Sequence, residues 1–528
     1  MILVSHRAAA LGVPQAVLAG LADALPVTAE VTVKGEIYSV VPHDLTSTLV
    51  LRNAGETVPA PILTQYEWPH ARGWKPFEVQ RQTAALMTTS PKGFVLNDKG
   101  TGKTLTTCWA TGFLRQQGLI RKTLVVAPLS TLDFVWVKDI KQAFPELRTS
   151  VLSGTKAKRL KALAADADIY IVNPEGMKIL EAEILAREDI DCFVFDECTA
   201  LRNPTSDVTK CAARIARKMK FAWGLTGSPC PKSPTDAYGQ CKVFTPGMNG
   251  LPKSFRLWEE EVLVPGGPFR SQWKPRKDAM THVHRVMQPA ARYSLDDVVE
   301  LPPMVEQFLD VPLGDRQRTA YEQMREHCLA LVERHEIDAQ NAGVAANKLL
   351  QISTGYLYGK DAEGREVSVT LDNELRLDTM VECVEQSRSK AIVFVPFKHA
   401  LSGVSERLTK EKIAHARVDG SVSVAKRLKI FNDFQNPDST TRVIVAHPAC
   451  MAHGVTLTEA DTIVWFGPLC NLETFEQANA RIRRIGQRRK QQYFYLQGTP
   501  MEKRVYRILK DRANFQTNLL GLFAAGSH

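Results

Sequence analysis

The sequence lacks several features that would assign it to a membrane, zinc-binding or disulfide-rich class. No stretch of its 528 residues approaches the roughly 18 consecutive apolar residues that a membrane-spanning helix needs. Its ten cysteines are scattered along the chain without a single Cys-x-x-Cys pair, which argues against a structural zinc site. Single cysteines in a large chain are typical of a reducing, intracellular compartment, and we expect this chain to work in one.

Low-complexity segments and strict internal repeats are also missing. With 44% hydrophobic and 23% charged residues, the composition is that of an ordinary globular protein and argues against long disorder. A chain of this length is expected to form about three domains. The net charge of +10 and the pI near 9.0 favour a polyanionic partner, nucleic acid first, although a generally basic enzyme would share this balance.

The first 70 residues form a separate region without recognisable chemistry. Residues 1–25 superficially resemble a signal peptide, but Pro14 and Asp23 interrupt the apolar stretch, and we interpret residues 14–25 as a short amphipathic helix. Three short β-rich runs follow, the first two joined as a predicted hairpin: residues 31–33, 37–41 and 48–51. We predict a small α+β accessory domain that either reads a substrate or stabilises its neighbours.

From about residue 74 the pattern changes to strand, loop and helix. Short apolar runs separated by helical stretches predict parallel sheets with crossover helices. These runs are residues 93–96, 123–127, 169–172, 192–195 and 222–225, and then 391–395, 441–445 and 462–466. Between the two sets, residues 243–380 are predicted to be mainly helices and irregular connections, with a clear helix over 317–333. We therefore predict two α/β lobes in tandem, with domains at 1–70, 71–290 and 291–528.

The strongest chemical signal is a glycine-rich loop between a predicted strand and a predicted helix. The loop consists of Gly100, Thr101, Gly102, Lys103 and Thr104. Gly100 and Gly102 let backbone N–H groups approach phosphate oxygens at the positive end of a helix dipole. Lys103 would reach the β- and γ-phosphates and Thr104 would ligate Mg²⁺. The strict pattern has Gly where this chain has Asn97, and we expect Asn to tolerate the left-handed backbone there. The loop predicts ATP and Mg²⁺ as cofactors.

Further polar side chains follow the neighbouring strands. Asp196 and Glu197 end one apolar run, and we expect Asp196 to hold the metal and Glu197 to activate the attacking water. The segment 226–229, Thr-Gly-Ser-Pro, ends the next run and can sense the γ-phosphate. Upstream of the loop, the Gln80 amide can pair with the edge of adenine, or Gln80 is an ordinary surface residue.

An arginine-rich segment near the other end of the chain complements the loop. Residues 477–487 read Gln-Ala-Asn-Ala-Arg-Ile-Arg-Arg-Ile-Gly-Gln. Arginines supplied across a cleft stabilise the charge that builds on a transferring phosphoryl group. The combination is more typical of an ATP-driven motor than of a simple hydrolase.

In their order along the chain, these segments resemble the Swi/Snf family of DNA-dependent ATPases within helicase superfamily two. The segments that carry the resemblance are 125–130, 196–199, 202–204, 225–229, 301–303, 418–421, 454–460 and 477–487, spread over residues 75–515. Three segments depart from the family: Cys198-Thr199 replace Ala-His, Cys470-Asn471-Leu472 replace Trp-Asn-Pro, and Ala480 replaces Asp. The first departure puts in doubt the coupling between the two lobes through that histidine.

The resemblance implies two RecA-like lobes with a helical insertion and the nucleotide between the lobes. It places Gln477 in the ATP site and makes Arg481 and Arg484 the arginine fingers. It further implies phosphate contacts to DNA near Ser130, Asn173, Lys398, Ser421 and His453, each of which could equally be ordinary polar surface. Three basic clusters are further candidates for DNA contact or are simply solvated: residues 156–159, 274–277 and 488–490.

Three functions are compatible with these observations. The first is an ATP-dependent translocase on double-stranded or branched DNA that remodels DNA structures or displaces bound proteins. The second is a strand-unwinding or branch-migration helicase on DNA or RNA, and the third is a non-catalytic nucleic-acid-binding scaffold. Intact Lys103, Glu197, Arg481 and Arg484 favour an active ATPase. The compact chain resembles bacterial, virus-encoded or fork-remodelling members, so we expect the cytoplasm of a bacterial or virus-infected bacterial cell, and protein partners stay open.

Overall fold

A computed structural model describes residues 2–21, 23–129, 131–266, 272–333, 339–360, 366–451 and 456–525. Contacts divide the chain into two compact units, Met1–Val298 with Gln516–His528, and Val299–Phe515. Within the described ranges, no helix has both the length and the apolar character that crossing a membrane requires.

The N-terminal region is a small α+β arrangement, as predicted. It contains β1 (Leu3–Ser5), β2 (Ala10–Pro14), α1 (Gln15–Leu18), β3 (Ala29–Val33), β4 (Glu36–Pro42), α2 (Leu45–Asn53) and α3 (Pro61–Gln65). The strands pair in the antiparallel order β1-β2-β4-β3. The predicted hairpin is β3–β4, and it turns at Lys34 and Gly35 with φ angles of 51° and 85°, which Gly accommodates readily.

Two predictions for this region are wrong. The helix predicted over residues 14–25 is confined to α1, because the residues before it form the β1–β2 hairpin, which fully buries Leu11 and Val13. The strand predicted over residues 48–51 lies inside α2. Asp44 caps that helix by accepting a hydrogen bond from the Ser47 N–H at 2.7 Å, and such a cap outweighs the β preference of a short run.

The first lobe is a parallel sheet with crossover helices. Its elements are α4 (Glu78–Thr89), β5 (Lys92–Val95), α5 (Lys103–Gln116), β6 (Lys122–Val126), α6 (Lys138–Ala143), β7 (Thr149–Leu152), α7 (Lys156–Ala164), β8 (Ile169–Val172), α8 (Pro174–Ile179), α9 (Glu181–Ala186), β9 (Ile190–Asp196), α10 (Asp207–Lys218), β10 (Phe221–Leu225), α11 (Asp236–Phe244), α12 (Phe255–Val262), β11 (Leu263–Gly266), β12 (Gln272–Pro275), α13 (Ala279–Val286) and β13 (Ala290–Ala291). The parallel strand order is β13-β5-β10-β9-β6-β8-β7, and β11 and β12 form a separate hairpin. All five predicted strands are confirmed, because strands buried on both faces are continuous apolar runs.

The second lobe has the same architecture around its own core. The elements after Val299 are β14 (Met304–Asp310), α14 (Asp315–Glu333), α15 (Ala339–Ser353), β15 (Tyr356–Lys360), β16 (Glu366–Thr370), α16 (Glu374–Glu385), β17 (Lys390–Phe394), α17 (Lys398–Lys410), β18 (His415–Val418), α18 (Val424–Gln435), β19 (Val443–Ala446), β20 (Ala460–Trp465), α19 (Leu472–Asn479), β21 (Gln491–Gln497) and α20 (Pro500–Ala525). The parallel sheet has the order β14-β21-β20-β17-β19-β18. The chain thus contains two tandem RecA-like lobes, with α14 and α15 as the helical insertion.

Some strands of these sheets were not predicted. β7 and β14 are edge strands with partly exposed polar residues, so the apolar run that identifies a buried strand is absent from both. β13 pairs with β5, so the first sheet continues as far as Ala291. The domain boundaries placed after residues 70 and 290 stay predictions.

Candidate active site

The glycine-rich loop joins β5 to α5 in the first lobe. Gly100 and Gly102 have φ angles of 90° and 80°, in the left-handed region that favours glycine. Gly102 is the N-cap of α5 and provides no side-chain cap, so the first-turn N–H groups of this 14-residue helix are available to an anion. A Cβ at Gly102 would lie 2.4 Å from the Gln80 Nε2 atom. The backbone therefore fits a phosphate group.

Lys103 lies at the start of α5 and faces the predicted catalytic carboxylates. Its Nζ donates hydrogen bonds to the carbonyl oxygens of Asn97 at 2.9 Å and Asp98 at 3.0 Å. Burial lowers the pKa of Lys103, and the nearby charges of Glu197, Asp196 and Asp98 oppose that shift. The fold therefore brings together the lysine from α5 and the carboxylates that end β9, as the sequence predicted.

Asp196 is held by two hydrogen bonds. Its Oδ2 accepts one from the Trp136 indole N–H at 3.0 Å, and its Oδ1 accepts one from the Glu197 N–H at 3.1 Å. Burial and the neighbouring Glu197 charge raise the pKa of Asp196, and the Trp136 bond opposes the shift. Trp136 lies in a π-helix, Leu132–Val137, and no local pattern indicates that its indole reaches a strand end 60 residues away.

Glu197 has an unusual backbone for a non-glycine residue. Its φ of 53° is left-handed, a conformation that costs free energy and is concentrated at functional sites. The turn at Glu197 separates β9 from the short 3₁₀ helix Cys198–Leu201 that follows. The side chain is half-buried, so it is partly shielded but still reachable by a water molecule.

The residues present fit a magnesium ion. Thr104 supplies a hydroxyl in the first turn of α5 and Asp196 supplies carboxylate oxygens. Each Asp196 oxygen accepts one hydrogen bond from the protein and keeps capacity for a further ligand. Mg²⁺ typically takes one or two such protein oxygens and completes its shell with water and substrate phosphates.

Asn97 holds the front of the loop through its side chain. It is 2% exposed, its Nδ2 donates to Thr83 Oγ1 at 2.9 Å, and its Oδ1 accepts from the Tyr293 N–H at 2.9 Å. The expectation of a left-handed backbone at Asn97 is wrong, since in this loop the positive φ angles fall at Gly100 and Gly102. Asn suits the position because its amide can both donate and accept.

Asp98 connects the loop to the segment after β13. Its Oδ1 accepts from the Arg292 guanidinium at 2.6 Å, and its Oδ2 accepts from the Leu295 N–H at 3.0 Å. Arg292 also donates to the Leu96 carbonyl at 3.1 Å. Sequence reasoning missed both residues, because Arg292 lies almost 200 positions from its partner and in none of the recognised segments.

Thr199 joins the end of β9 to the segment 226–229. Its Oγ1 lies 2.9 Å from Thr226 Oγ1 and donates to the Ser228 carbonyl at 3.0 Å, and the Ser228 N–H donates to Thr226 Oγ1 at 3.1 Å. All three residues are buried. In this chain a threonine hydroxyl therefore makes a contact between the two strand ends at the position where the family has histidine.

Gln80 supports the loop directly. It is 6% exposed, its Nε2 donates to the Thr101 carbonyl at 3.0 Å, and its Oε1 accepts from the Phe77 N–H at 3.0 Å. Each amide atom can form one more hydrogen bond. Contact between Gln80 and adenine stays a prediction.

The predicted residues of the second lobe lie on α19 and in the turn after it. Arg481 is 2% exposed, and its Nε donates to the Gln477 carbonyl at 2.8 Å. Arg484 is half-buried, and it donates to the Ala480 carbonyl at 3.0 Å and to Thr456 Oγ1 at 3.1 Å. The Gln477 amide donates to Glu473 at 3.4 Å. The catalytic and nucleotide-binding roles of Gln477, Arg481 and Arg484 stay predictions.

The predicted DNA contacts have different surroundings. Ser130 and His453 lie outside the described residues. Lys398 is exposed at the start of α17, whereas Asn173 accepts a hydrogen bond from the buried Arg159 at 3.1 Å. Ser421 uses its N–H and its hydroxyl as donors to Asp419, at 2.8 and 2.5 Å. DNA binding by these residues stays a prediction.

Arg159 belongs to the first of the three basic clusters, but it is not a surface cation. Its side chain donates to the carbonyl of Gly154 at 2.9 Å, and the residue is 8% exposed. Of that cluster, Lys156 and Lys158 are the exposed cations.

Comparisons with known proteins match most of the chain. The SNF2-related domain profile matches residues 77–357, and the helicase conserved C-terminal domain profile matches residues 375–486. The ISWI chromatin-remodeling complex ATPase ISW1 of Saccharomyces cerevisiae is 23% identical over 442 residues, which are 80% of this chain and 38% of the yeast protein. A protein designated p41 of Acyrthosiphon pisum secondary endosymbiont phage 1 is 26% identical over 410 residues, which are 74% of this chain and 84% of the phage protein.

A solved structure, the Sulfolobus solfataricus SWI2/SNF2 ATPase core in complex with dsDNA, aligns with a TM-score of 0.40 and 21% identity, over 86% of this chain and 94% of that one. The alignments with three chromatin-remodeling relatives span less than two fifths of the length of those proteins. The SNF2-related profile alone covers more than half of the 528 residues. The two RecA-like lobes and the two profile matches together show that the chain belongs to the Swi/Snf family of helicase superfamily two.

Proposed function

We propose that this protein is an ATP-dependent translocase on double-stranded DNA, which uses Mg²⁺ and ATP to remodel DNA structures or displace bound proteins. The observation that carries the proposal is the grouping of Lys103, Asp196 and Glu197 around one glycine-rich loop in a Swi/Snf chain. The names of the relatives, chromatin-remodeling complex ATPases, support a motor rather than a scaffold.

The first lobe binds the triphosphate and activates water. Gly100 and Gly102 open the loop backbone to phosphate oxygens, and Lys103 exchanges its two carbonyl partners for the β- and γ-phosphates. Thr104 and Asp196 hold Mg²⁺, which when bound neutralises charge on the phosphates. Glu197 orients a water molecule and takes its proton, because it is the remaining half-buried carboxylate at this strand end.

The second lobe contributes the arginines. Arg481 and Arg484 stabilise the charge that develops on the transferring phosphoryl group, as guanidinium groups do in related ATPases. Gln477 supports this segment at the nucleotide. Coupling of hydrolysis to movement uses the hydroxyl contact between Thr199 and Thr226, which joins the water-activating strand end to the segment that senses the γ-phosphate.

DNA is gripped mainly through its phosphates. The net charge of +10, the exposed Lys398 and the basic cluster 488–490 support this mode, which releases counterions and weakens steeply with salt. The pI near 9.0 also agrees with a polyanionic partner such as DNA.

The proposal is tested by the nucleic-acid dependence of ATP hydrolysis. Steady-state rates are measured with no nucleic acid and with single-stranded, blunt duplex, forked and four-way DNA and RNA. We expect blunt duplex DNA to stimulate hydrolysis strongly and Lys103→Ala to abolish it. Hydrolysis that is unaffected by DNA or by Lys103→Ala would overturn the motor. Stimulation only by single strands, with opening of blunt duplexes, would favour the helicase alternative.

A further inference from the structure

The β11–β12 hairpin carries an exposed tryptophan, Trp273, that the ATP site does not use. The strands pair Leu263 with Pro275, Val264 with Lys274 and Pro265 with Trp273. Directly paired residues lie on the same face of a hairpin, and residues two apart share a face. One face therefore carries Leu263, Pro265, Trp273 and Pro275.

This face is open to solvent although its base is anchored. Trp273 is 54% exposed, and every residue from 273 to 278 is exposed. At the base, Leu263 is buried, and the Arg276 N–H donates to the Val262 carbonyl at 2.9 Å. The two prolines restrict the backbone on either side of the indole. The indole is thus held at the surface on a short, stiff support.

Cations follow the indole along the chain. Lys274 lies on the opposite face, where its stem passes close to Gly266, and Arg276 and Lys277 follow directly. The described residues of β11 and β12 carry no acidic side chain. Asp278 is the first acid after the hairpin, and it pairs with Arg276 at 3.6 Å and His282 at 3.2 Å. Lys274 and Lys277 leave the hairpin with an excess of positive charge.

An exposed aromatic plane beside cations is the combination that binds unpaired nucleotides. The plane stacks on a base of any identity and the cations contact the backbone phosphates. A duplex offers phosphates but keeps its bases stacked internally, so the indole gains nothing from it. A protein partner would use the apolar face but would not explain the adjacent Lys274 and Lys277.

We propose that the β11–β12 hairpin binds an unpaired DNA strand adjoining a duplex, with a base stacked on Trp273 and phosphates contacted by Lys274 and Lys277. This inference rests on the proposed DNA motor and narrows its substrate. Forked or gapped DNA is preferred to blunt duplex DNA, because only the former supplies unpaired bases.

The test compares equilibrium binding of the full chain to a labelled blunt duplex and to the same duplex with a single-stranded arm. Trp273→Ala is expected to weaken binding of the armed duplex about tenfold, the size of one lost base stack, and to leave blunt-duplex binding unchanged. Trp273→Phe should keep most of the preference, because a phenyl ring still stacks. Leu257→Ala is the matched control, because it removes a neighbouring apolar side chain that is 52% exposed. It should leave the binding of both DNA substrates unchanged.

A second readout addresses the cations and the contact itself. The double variant Lys274→Gln with Lys277→Gln should bind the armed duplex with a weaker salt dependence. The slope of log affinity against log salt concentration should fall by about one for each lysine removed. Ultraviolet crosslinking of an iododeoxyuridine-substituted arm should attach to Trp273. The inference is overturned if Trp273→Ala binds the armed duplex as the parent does, or if the parent has no preference for it. Duplex-stimulated ATP hydrolysis reports separately on the proposed motor, because we expect Trp273→Ala to leave this hydrolysis unchanged.

Discussion

At the scale of single residues, the candidate site has two carboxylates at adjacent positions with different surroundings. Asp196 is fixed by hydrogen bonds from Trp136 and from the next backbone N–H. Glu197 has a left-handed backbone conformation and lies in the turn that follows the strand. We therefore expect the two neighbours to have separate tasks, with Asp196 at the metal and Glu197 at the water.

Changing Glu197→Gln tests that division. The substitution keeps the size of the side chain and removes the group that accepts the proton, so turnover should fall to background while ATP and duplex binding persist. Single-turnover hydrolysis and fluorescent-nucleotide binding measure the two properties. Normal hydrolysis in this variant would show that another group is the base.

Arg292→Met tests the contact that holds the loop in place. The Arg292–Asp98 bond is charge-assisted and mostly buried, and a hydrogen bond to a charged group contributes about 1.5–3 kcal/mol. We expect ATP to bind at least about tenfold more weakly, because a loss of about 1.4 kcal/mol of binding free energy lowers the affinity tenfold. Isothermal titration with a slowly hydrolysed ATP analogue measures it. Arg256→Met, which removes an arginine that is 87% exposed, serves as control, and equal effects of both would contradict the account.

At the scale of elements, a buried ion pair joins the starts of α16 and α20. Arg376 and Glu502 are 2% and 0% exposed, and their two hydrogen bonds measure 2.8 and 2.9 Å. Glu502 also accepts from the N–H groups of Gly498 and Thr499. The pair therefore fixes where α20 begins.

Arg376→Met should destabilise this lobe by about 3–5 kcal/mol, because it leaves Glu502 charged, buried and without its partner. Urea unfolding followed by circular dichroism measures the loss. Adding Glu502→Gln to that variant should recover part of it, since the uncompensated charge is removed. Arg318→Met, at an exposed arginine whose partner Asp315 is also exposed, should leave the midpoint unchanged. A similar shift for both arginines would contradict a special role for the pair.

The sequence predicted those elements whose own residues have a distinctive pattern, such as a continuous apolar run or a fixed glycine spacing. Central strands such as β8 and β10 are buried throughout, and the glycine loop has its residue types at fixed spacing. The contacts of Trp136, Arg292 and Thr199 were not predicted, because each joins segments that are distant in sequence. β1 and β2 were not predicted, since short hairpin strands with mixed residues carry no distinctive period.

At the scale of the whole molecule, we expect hydrolysis to require both lobes. The first lobe holds the loop and the carboxylates, and the second lobe holds Arg481 and Arg484. An isolated first lobe would bind nucleotide without efficient turnover. The departures from the family leave Lys103, Glu197, Arg481 and Arg484 in place.

Arg484→Ala should lower the rate of hydrolysis about a thousandfold, the effect of removing an arginine finger, with a much smaller loss of ATP affinity. Arg481→Ala should do the same, although Arg481 also donates to the Gln477 carbonyl. Steady-state kinetics and nucleotide binding are compared with Arg483→Ala, a half-buried neighbour in the same segment. Equal losses of rate and affinity would identify a structural arginine instead.

The most direct test of the central claim is ATP-dependent displacement of a third strand from a triplex carried on a blunt DNA duplex. We expect the parent protein to release the third strand only with Mg²⁺ and ATP, to leave the underlying duplex intact, and to lose this activity with Glu197→Gln. Failure of the parent to release the strand while it hydrolyses ATP, or separation of the duplex strands, would contradict translocation along double-stranded DNA.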